Sequence, residues 1–256
     1  GQFFTSNEAQ YTYAPLSDWN KERIAFLPLM VDGPHGKKIV ITEADNRNYP
    51  CFYLYNNDEG TNLSGRFPAV PKDVKQGGHN NLQMEVLSTE SFIAQFEGPQ
   101  EFPWRIIAVS ENDVQMADND MVYRLAAPAD MSTDWSWVKP GKVAWDWWND
   151  WNITGVDFKA GVNNDTYKYY IDFASKNGIE YVILDEGWAT KYKTDLFDVV
   201  PEINLPELVA YATERNVGLV LWAGYWAFNK DMEKVCEHYS KMGIKGWKVD
   251  FMDRDD

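Results

Sequence analysis

The sequence predicts an all-β sandwich portion over residues 1–138, followed by the first half of a (β/α)8 barrel over residues 139–256. The first part contains short alternating apolar runs separated by turn residues, a pattern typical of sandwiches. From residue 139 onward strand and helix patterns alternate, which indicates a parallel sheet. Acids and tryptophans follow the strands of this second part, and functional residues of barrels lie at those strand ends.

Six short strands are predicted in the first part, bounded by turn signals such as Asp32-Gly33. Their ranges are 24–31, 37–42, 51–55, 82–87, 92–96 and 104–109. The strand pattern looks incomplete at its N-terminal end. We therefore expect this domain to be the C-terminal portion of a larger one.

Four strands and three helices are predicted in the second part. The strands cover 142–147, 181–185, 217–222 and 245–251, and the helices cover 164–177, 205–215 and 231–242. The strands are nearly continuous apolar runs, as expected for parallel strands that are covered on both faces. A glycine-rich loop after the first strand would favour a nucleotide-binding sheet. Asp146 and tryptophans follow it instead, which favours half a barrel.

Composition narrows the class of ligand. The chain carries 39 acidic and 24 basic residues, a net charge of −15, which does not suit nucleic acid or an anionic membrane. No apolar run is long enough to predict insertion into a membrane. The 12 tryptophans suit a site where sugar rings stack on indoles, although a tryptophan-rich core is the alternative.

The last predicted strand carries the candidate nucleophile. Asp250 ends its apolar run, and Lys248 lies two residues earlier on the same face. Hydrolysis of a glycoside requires two carboxyl groups, and a nucleophile must be ionised. The ammonium group of Lys248 would favour that state and could also hold sugar hydroxyls. The alternative is that Asp250 only caps the next turn.

Candidate substrate-binding residues follow the first two strands of the sheet. Asp185, Glu186 and Trp188 come after the second strand, and Trp145 and Asp146 end the first. Neighbouring carboxylates can accept hydrogen bonds from two sugar hydroxyls, and indoles can stack on the ring. The alternatives are turn formation for the pair of acids and a purely structural role for Asp146.

Several segments together resemble glycoside hydrolase family 97. The resemblance is carried by Ile41–Pro50, Pro103–Ile107, Trp137–Lys142, Asp185–Trp188 and Lys248–Asp256. It implies an N-terminal β-sandwich, a central (β/α)8 barrel and a small C-terminal β domain. The chain matches the end of the first and the first half of the second.

The resemblance also implies a retaining mechanism. Retaining members place an Asp at the end of the fourth strand, which matches Asp250, whereas inverting members place a Glu after the third strand, where this sequence has Trp222–Tyr225. The acid/base Glu is then expected beyond residue 256. Family members bind Ca²⁺, and Glu43 matches one ligand position. The other ligands are expected outside this chain, so calcium should bind weakly or not at all.

The substrate expected from the resemblance is a terminal α-galactoside, in an oligosaccharide or a small glycoside. Asp185–Trp188 resembles the Asp-Asp-Gly-Trp segment of distantly related α-galactosidases, whose acids hold the sugar hydroxyls. α-Glucosidase and β-L-arabinopyranosidase activities stay open as alternatives, as does an inactive sugar-binding fragment. The resemblance implies a periplasmic or extracellular location.

Overall fold

The computed structural model describes residues 12–19, 22–57, 60–190 and 195–255. Residues 1–11 of the predicted sandwich portion and residue 256 of the predicted half-barrel lie outside this description. The chain divides into two compact units. The β unit contains the residues up to Val74, Val86–Thr133 and the end of the chain from Asp253. The α/β unit contains Lys75–Glu85 and Asp134–Met252.

Short antiparallel strands build the first part of the chain. They are β1 (Ile24–Ala25), β2 (Leu29–Asp32), β3 (Lys38–Ala44), β4 (Tyr53–Asn56), β5 (Leu63–Arg66), β6 (Pro71–Gly77), β7 (Gln83–Thr89) and β8 (Trp104–Ser110). One sheet has the order β1-β4-β5, a second has the order β2-β3-β8, and β6 pairs with β7. The prediction of a β-rich first part is confirmed.

Two of the strand predictions for this region were wrong. The expected strand 24–31 is two strands separated by Pro28, which has no N–H for a sheet hydrogen bond. Residues 92–96 form a bend and irregular structure instead of a strand, and the ring of Phe96 packs on Tyr49.

The region is also not purely β, because two short helices follow β8. They are α1 (Asp113–Ala117) and α2 (Met121–Leu125). The side chain of Asn112 caps the first by accepting a hydrogen bond from the N–H of Gln115 at 2.9 Å. Met116 and Leu125 pack against the small core formed by Ala44, Ile106 and Ala108.

A parallel sheet with its helices builds the second part. The elements are β9 (Val143–Trp145), α3 (Asn164–Lys176), β10 (Tyr181–Leu184), α4 (Leu205–Thr213), β11 (Gly218–Gly224), α5 (Tyr225–Lys230), α6 (Met232–Met242) and β12 (Gly246–Asp250). The order β12-β11-β10-β9 follows the chain, and all three pairings are parallel. A parallel α/β region is confirmed, with α5 as an addition. A sheet whose strands lie in the order of the chain is expected for half a (β/α)8 barrel. The barrel itself stays a prediction.

Burial explains why this sheet forms. Val182 and Leu184 alternate on one face of β10 and are fully buried, as are Leu219 and Leu221 at the neighbouring positions of β11. Helix α3 buries Tyr167, Ile171 and Ala174, which recur at helical spacing. This core holds the carboxyl ends of the four strands at one edge. No helix among the residues described is both long and apolar enough to cross a bilayer.

Candidate active site

A cavity of about 430 Å³ opens within the α/β unit. Its walls combine three carboxylates, one lysine and three tryptophans with two residues of the β6–β7 turn. The lining residues are His79, Asn80, Trp147, Trp151, Asp185, Glu186, Trp222, Lys248, Asp250 and Phe251. Four of the predicted site residues are therefore brought together here, namely Asp185, Glu186, Lys248 and Asp250.

Strand β12 presents Lys248 and Asp250 on one face, as their spacing predicts. The Lys248 Nζ donates to Asp250 Oδ2 at 2.8 Å, and the Trp222 indole N–H donates to the same oxygen at 3.2 Å. The N–H of Phe251 donates to Asp250 Oδ1 at 2.9 Å. Burial alone would raise the pKa of Asp250, but these hydrogen bonds, led by that from Lys248, lower it below its ordinary value. Asp250 is therefore ionised at neutral pH.

Lys248 also binds Asp185, the first residue after β10. Its Nζ lies 3.0 Å from Asp185 Oδ2, and the Trp145 indole N–H donates to that oxygen at 2.6 Å. The ammonium group lies 4.9 Å from the centre of the Trp145 ring. Burial would lower the pKa of Lys248, but its hydrogen bonds to Asp250 and Asp185 raise it. The Lys248 side chain therefore stays charged between the carboxylates of Asp185 and Asp250.

The predicted site residue Trp145 is thus next to the cavity but does not line it. Its indole lies against the lysine and fixes the carboxylate of Asp185. The Asp185 side chain is only 6% exposed, so besides lining the cavity it has a structural role. Asp185 Oδ1 accepts from the N–H of Glu186 at 2.8 Å, which orients the second acid of the pair.

Asp146 lies in the interior instead of in the cavity wall. Its carboxylate accepts hydrogen bonds from the Trp151 indole and the Tyr167 hydroxyl, both at 2.8 Å, and from the N–H groups of Trp147 and Asp185. Burial raises the pKa of Asp146, although these donors counteract the increase. All its acceptor sites face protein donors, so the structure supports the alternative that Asp146 braces the strand ends.

Trp188 was predicted to contact sugar, and its position does not support this. The side chain is fully buried, and its indole N–H donates to the carbonyl of Trp222 at 2.9 Å. Gly187, with a φ of 125°, turns the chain so that the following indole points into the core, where it packs on Tyr239. Trp147, Trp151 and Trp222 supply the indoles of the cavity instead.

Two further residues of the cavity, His79 and Asn80, lie in the β6–β7 turn and were not predicted. The side-chain amide of Asn80 donates to Glu186 Oε1 at 2.9 Å. His79 stacks its ring on Phe251, with the ring centres 5.3 Å apart. A turn more than a hundred residues before Glu186 carries no sequence signal that would join the two.

Glu43, the expected calcium ligand, lies in the β unit. Its carboxylate pairs with the guanidinium of Arg105 and accepts from the Asn46 amide at 3.1 Å. Burial raises the pKa of Glu43, with Arg105 opposing that change. The described part of the chain contains no group of three or more His, Cys, Asp or Glu residues that could hold a metal. These residues alone do not fit a calcium site.

Carboxylates and indoles thus lie together at the carboxyl ends of parallel strands, where the functional sites of barrel enzymes form. A family model described as "Glycoside hydrolase 97" matches residues 147–256, and one described as "Glycosyl-hydrolase 97 N-terminal" matches residues 1–128. The chain belongs to glycoside hydrolase family 97, as its motifs indicated.

Two curated relatives and one solved structure are similar to this chain. A "Retaining alpha-galactosidase" of Bacteroides thetaiotaomicron is 58% identical over the whole chain, which spans 38% of that relative. A "Probable retaining alpha-galactosidase" of Streptomyces bingchenggensis is 32% identical over 61% of the chain and 24% of the relative. A family 97 enzyme from Pseudoalteromonas sp. strain K8, solved with acarbose, is 22% identical at a TM-score of 0.68, over 94% of this chain and 35% of that one. That last similarity shows the fold alone.

Proposed function

We propose that the chain is part of a retaining glycoside hydrolase that acts on terminal α-galactosides, with Asp250 as the nucleophile. The observation that carries the proposal is the carboxylate of Asp250, 41% exposed in a tryptophan-lined cavity and paired with the ammonium group of Lys248. The name of the Bacteroides relative, 58% identical to this chain, supports both the retaining mechanism and the choice of galactoside.

In the first step a carboxylate oxygen of Asp250 forms a bond to C1 of the sugar while the bond from C1 to the leaving oxygen breaks. The leaving oxygen takes a proton from the acid/base, which we assign to a Glu outside the present sequence. Water then attacks C1, the ester bond to Asp250 breaks, and the acid/base takes the proton from the water. Two inversions at C1 give net retention.

Lys248 and the indole of Trp222 keep Asp250 charged and fix its orientation before attack. This arrangement reduces the reorganisation needed in the transition state. Glu186 also lines the cavity, where its carboxylate can accept hydrogen bonds from sugar hydroxyls. The exposed faces of Trp147 and Trp151 can stack on the C–H face of the ring.

The decisive experiment is Asp250→Ala in the full-length protein, assayed with an aryl α-galactoside. Removal of the nucleophile should lower kcat by several decades, on the order of the loss when a catalytic group is deleted. External azide should restore part of the rate and give the β-galactosyl azide, because it attacks C1 directly. Asp157→Ala, at an exposed acid of the same unit, is the control and should behave as wild type. Near-normal turnover by Asp250→Ala would rule out the assignment.

Substrate and stereochemistry need a separate measurement. Aryl α-galactoside, α-glucoside and β-L-arabinopyranoside should be compared by kcat/KM, and we expect the galactoside to be preferred. Proton NMR should show the α anomer of galactose as the first product. A β anomer formed first would show inversion and would exclude a covalent ester on Asp250.

Calcium and location are subsidiary proposals. If calcium is bound, Glu43 would supply one oxygen, and Arg105 would have to release it. The remaining ligands would come from outside the residues described here. A periplasmic or extracellular location is proposed from the family resemblance.

A further inference from the structure

The tip of the β6–β7 hairpin, residues 75–85, forms part of the α/β unit, and side-chain hydrogen bonds fix its backbone conformation. Gly78, Asn80 and Asn81 all have positive φ angles, of 68°, 50° and 59°. The side chain of Gln83 accepts from the N–H of His79 at 2.7 Å, and the side-chain amide of Gln76 donates to the carbonyl of Asn81 at 2.8 Å. These bonds fix the backbone on both sides of Asn80.

The same tip is fastened to the end of β11. The carbonyl of Leu82 accepts from the N–H of Trp226, the second residue of α5, at 3.2 Å. The Leu82 side chain lies directly over Gly224, because a Cβ there would come within 2.5 Å of Leu82 Cδ2. Only glycine allows so close an approach. The tip therefore has a fixed position relative to the cavity.

At that position the tip contacts two residues that line the cavity, Glu186 and Phe251. The Asn80 amide nitrogen donates to Glu186 Oε1 at 2.9 Å and lies 3.1 Å from His79 Nε2. His79 stacks on Phe251, which follows the proposed nucleophile, with an interplanar angle of 22°. The described residues give Glu186 Oε2 no hydrogen-bond partner, which leaves that oxygen available to a sugar hydroxyl.

We infer that this hairpin tip is a substrate-recognition element, with Asn80 as a positioning residue that holds Glu186 for the sugar hydroxyls. The inference rests on the proposed function. Asn80 donates the one side-chain hydrogen bond that the described residues make to this carboxylate, and so directs its second oxygen toward the cavity. His79 closes the same wall over Phe251.

Aspartate at position 80 tests this role through pH. In Asn80→Asp a protonated carboxyl can still donate to Glu186, but two ionised carboxylates repel each other. The charged and titratable side chains that line the cavity beside this position are Glu186, Asp185, Lys248, Asp250 and His79, and within the tip Glu85 accepts from the N–H of Gly78 and pairs with Lys75. Relative to wild type, kcat/KM should therefore fall progressively as pH rises, by roughly tenfold at neutral pH. The loss should arise mainly from a higher KM.

Asn81→Asp is the matched control for that variant. Asn81 is the next residue, is exposed, and has the same kind of backbone conformation, but it makes no side-chain contact with Glu186 among the residues described. It places the same charge at the tip and leaves His79 unchanged. Its pH profile should follow that of wild type.

Glycine variants separate side chain from backbone. Asn80→Gly and Asn81→Gly are both compatible with a positive φ, and both shorten the side chain to a hydrogen. We expect Asn80→Gly to raise KM roughly tenfold with a smaller change in kcat, and Asn81→Gly to leave both constants unchanged. Thermal melting of the two variants should agree, which shows that the tip keeps its fold.

The outcomes separate the two proposals. An active wild type in which the Asn80 and Asn81 variants behave alike overturns the role of the hairpin and leaves the proposed function intact. A wild type that hydrolyses none of the three aryl glycosides overturns the proposed function, and the inference fails with it. Elevated KM in the Asn80 variants alone supports both.

Discussion

Lys248→Met removes the positive charge between the two carboxylates of the cavity while it retains much of the side-chain volume. The lysine Nζ lies 2.8 Å from Asp250 Oδ2 and 3.0 Å from Asp185 Oδ2. Hydrogen bonds to charged groups contribute about 1.5–3 kcal/mol each when buried. Asp250 is 41% exposed, so water screens its bond, and we take about 1 kcal/mol for that contact. The more buried bond to Asp185 should contribute about 2 kcal/mol.

The expected effect has two measurable parts. Together the bonds correspond to a loss in kcat/KM of roughly a hundredfold, since about 1.4 kcal/mol is a factor of ten. The direction of the shift in the pH profile follows from the pKa of Asp250. Lys248 lowers the pKa of Asp250 against the effect of burial, so removal of the ammonium raises that pKa. The nucleophile must be ionised, and the acid limb of kcat/KM should therefore move to higher pH.

The assay is kcat/KM for an aryl α-galactoside between about pH 3 and pH 9, a range that covers the ordinary carboxyl pKa values. Lys245→Met, at an exposed lysine just before β12, makes the same substitution without a carboxylate partner among the described residues and should match wild type. An acid limb that stays in place in Lys248→Met would refute the argument that lysine controls the ionisation of Asp250. A rate within about twofold of wild type would refute the energetic estimate.

Two further predictions concern the parts that support the cavity. Tyr167→Phe deletes a hydroxyl that donates to the buried Asp146 at 2.8 Å, and should lower the free energy of unfolding by about 1–3 kcal/mol in urea denaturation; an unchanged midpoint would show that the remaining donors suffice. Gly224→Ala forces a Cβ to within 2.5 Å of Leu82 Cδ2 and should cost about 1–3 kcal/mol, whereas Gly246→Ala, whose Cβ would meet only a Val220 methyl at 3.8 Å, should change little. Equal melting temperatures for the two alanine variants would contradict the close packing of the hairpin.

The convergence of the site could be predicted because it follows from strand direction. The carboxyl ends of parallel strands meet at one edge, so the residues that follow β10 and β12 must lie close together. The register places Gly224 of β11 beside Asp250 and Trp222 beside Lys248. Spacing within β12 then sets both charged groups on one face. Residue type and strand order were sufficient for these contacts.

Other parts depend on packing that sequence spacing does not encode. Trp188 was placed with the cavity because it follows the strand of Asp185, but the turn at Gly187 directs its indole into the core. The contact between Asn80 and Glu186 joins residues 106 positions apart. This contact depends on the packing of the hairpin tip against the parallel sheet. The periodicity of neither segment predicts that packing.

The two acids at the ends of β9 and β12 show why one of them is a nucleophile candidate and the other is not. Both follow apolar strands and both have tryptophan neighbours. Asp146 is fully buried, its pKa is raised by burial, and its oxygens are occupied by four protein donors. Asp250 is partly exposed, and the adjacent ammonium group lowers its pKa.

A nucleophile needs charge and access at the same time, and of these two acids Asp250 is the one that has both. The buried donors that make Asp146 a good brace consume the lone pairs that attack would require. In turn, Asp146 holds the Asp185 backbone at 3.1 Å and the Trp151 indole at 2.8 Å. It thereby positions one residue that binds Lys248 and another that lines the cavity. The same residue type at equivalent strand ends is thus a buried brace in one case and the proposed nucleophile in the other, and the exposure of each carboxylate distinguishes them.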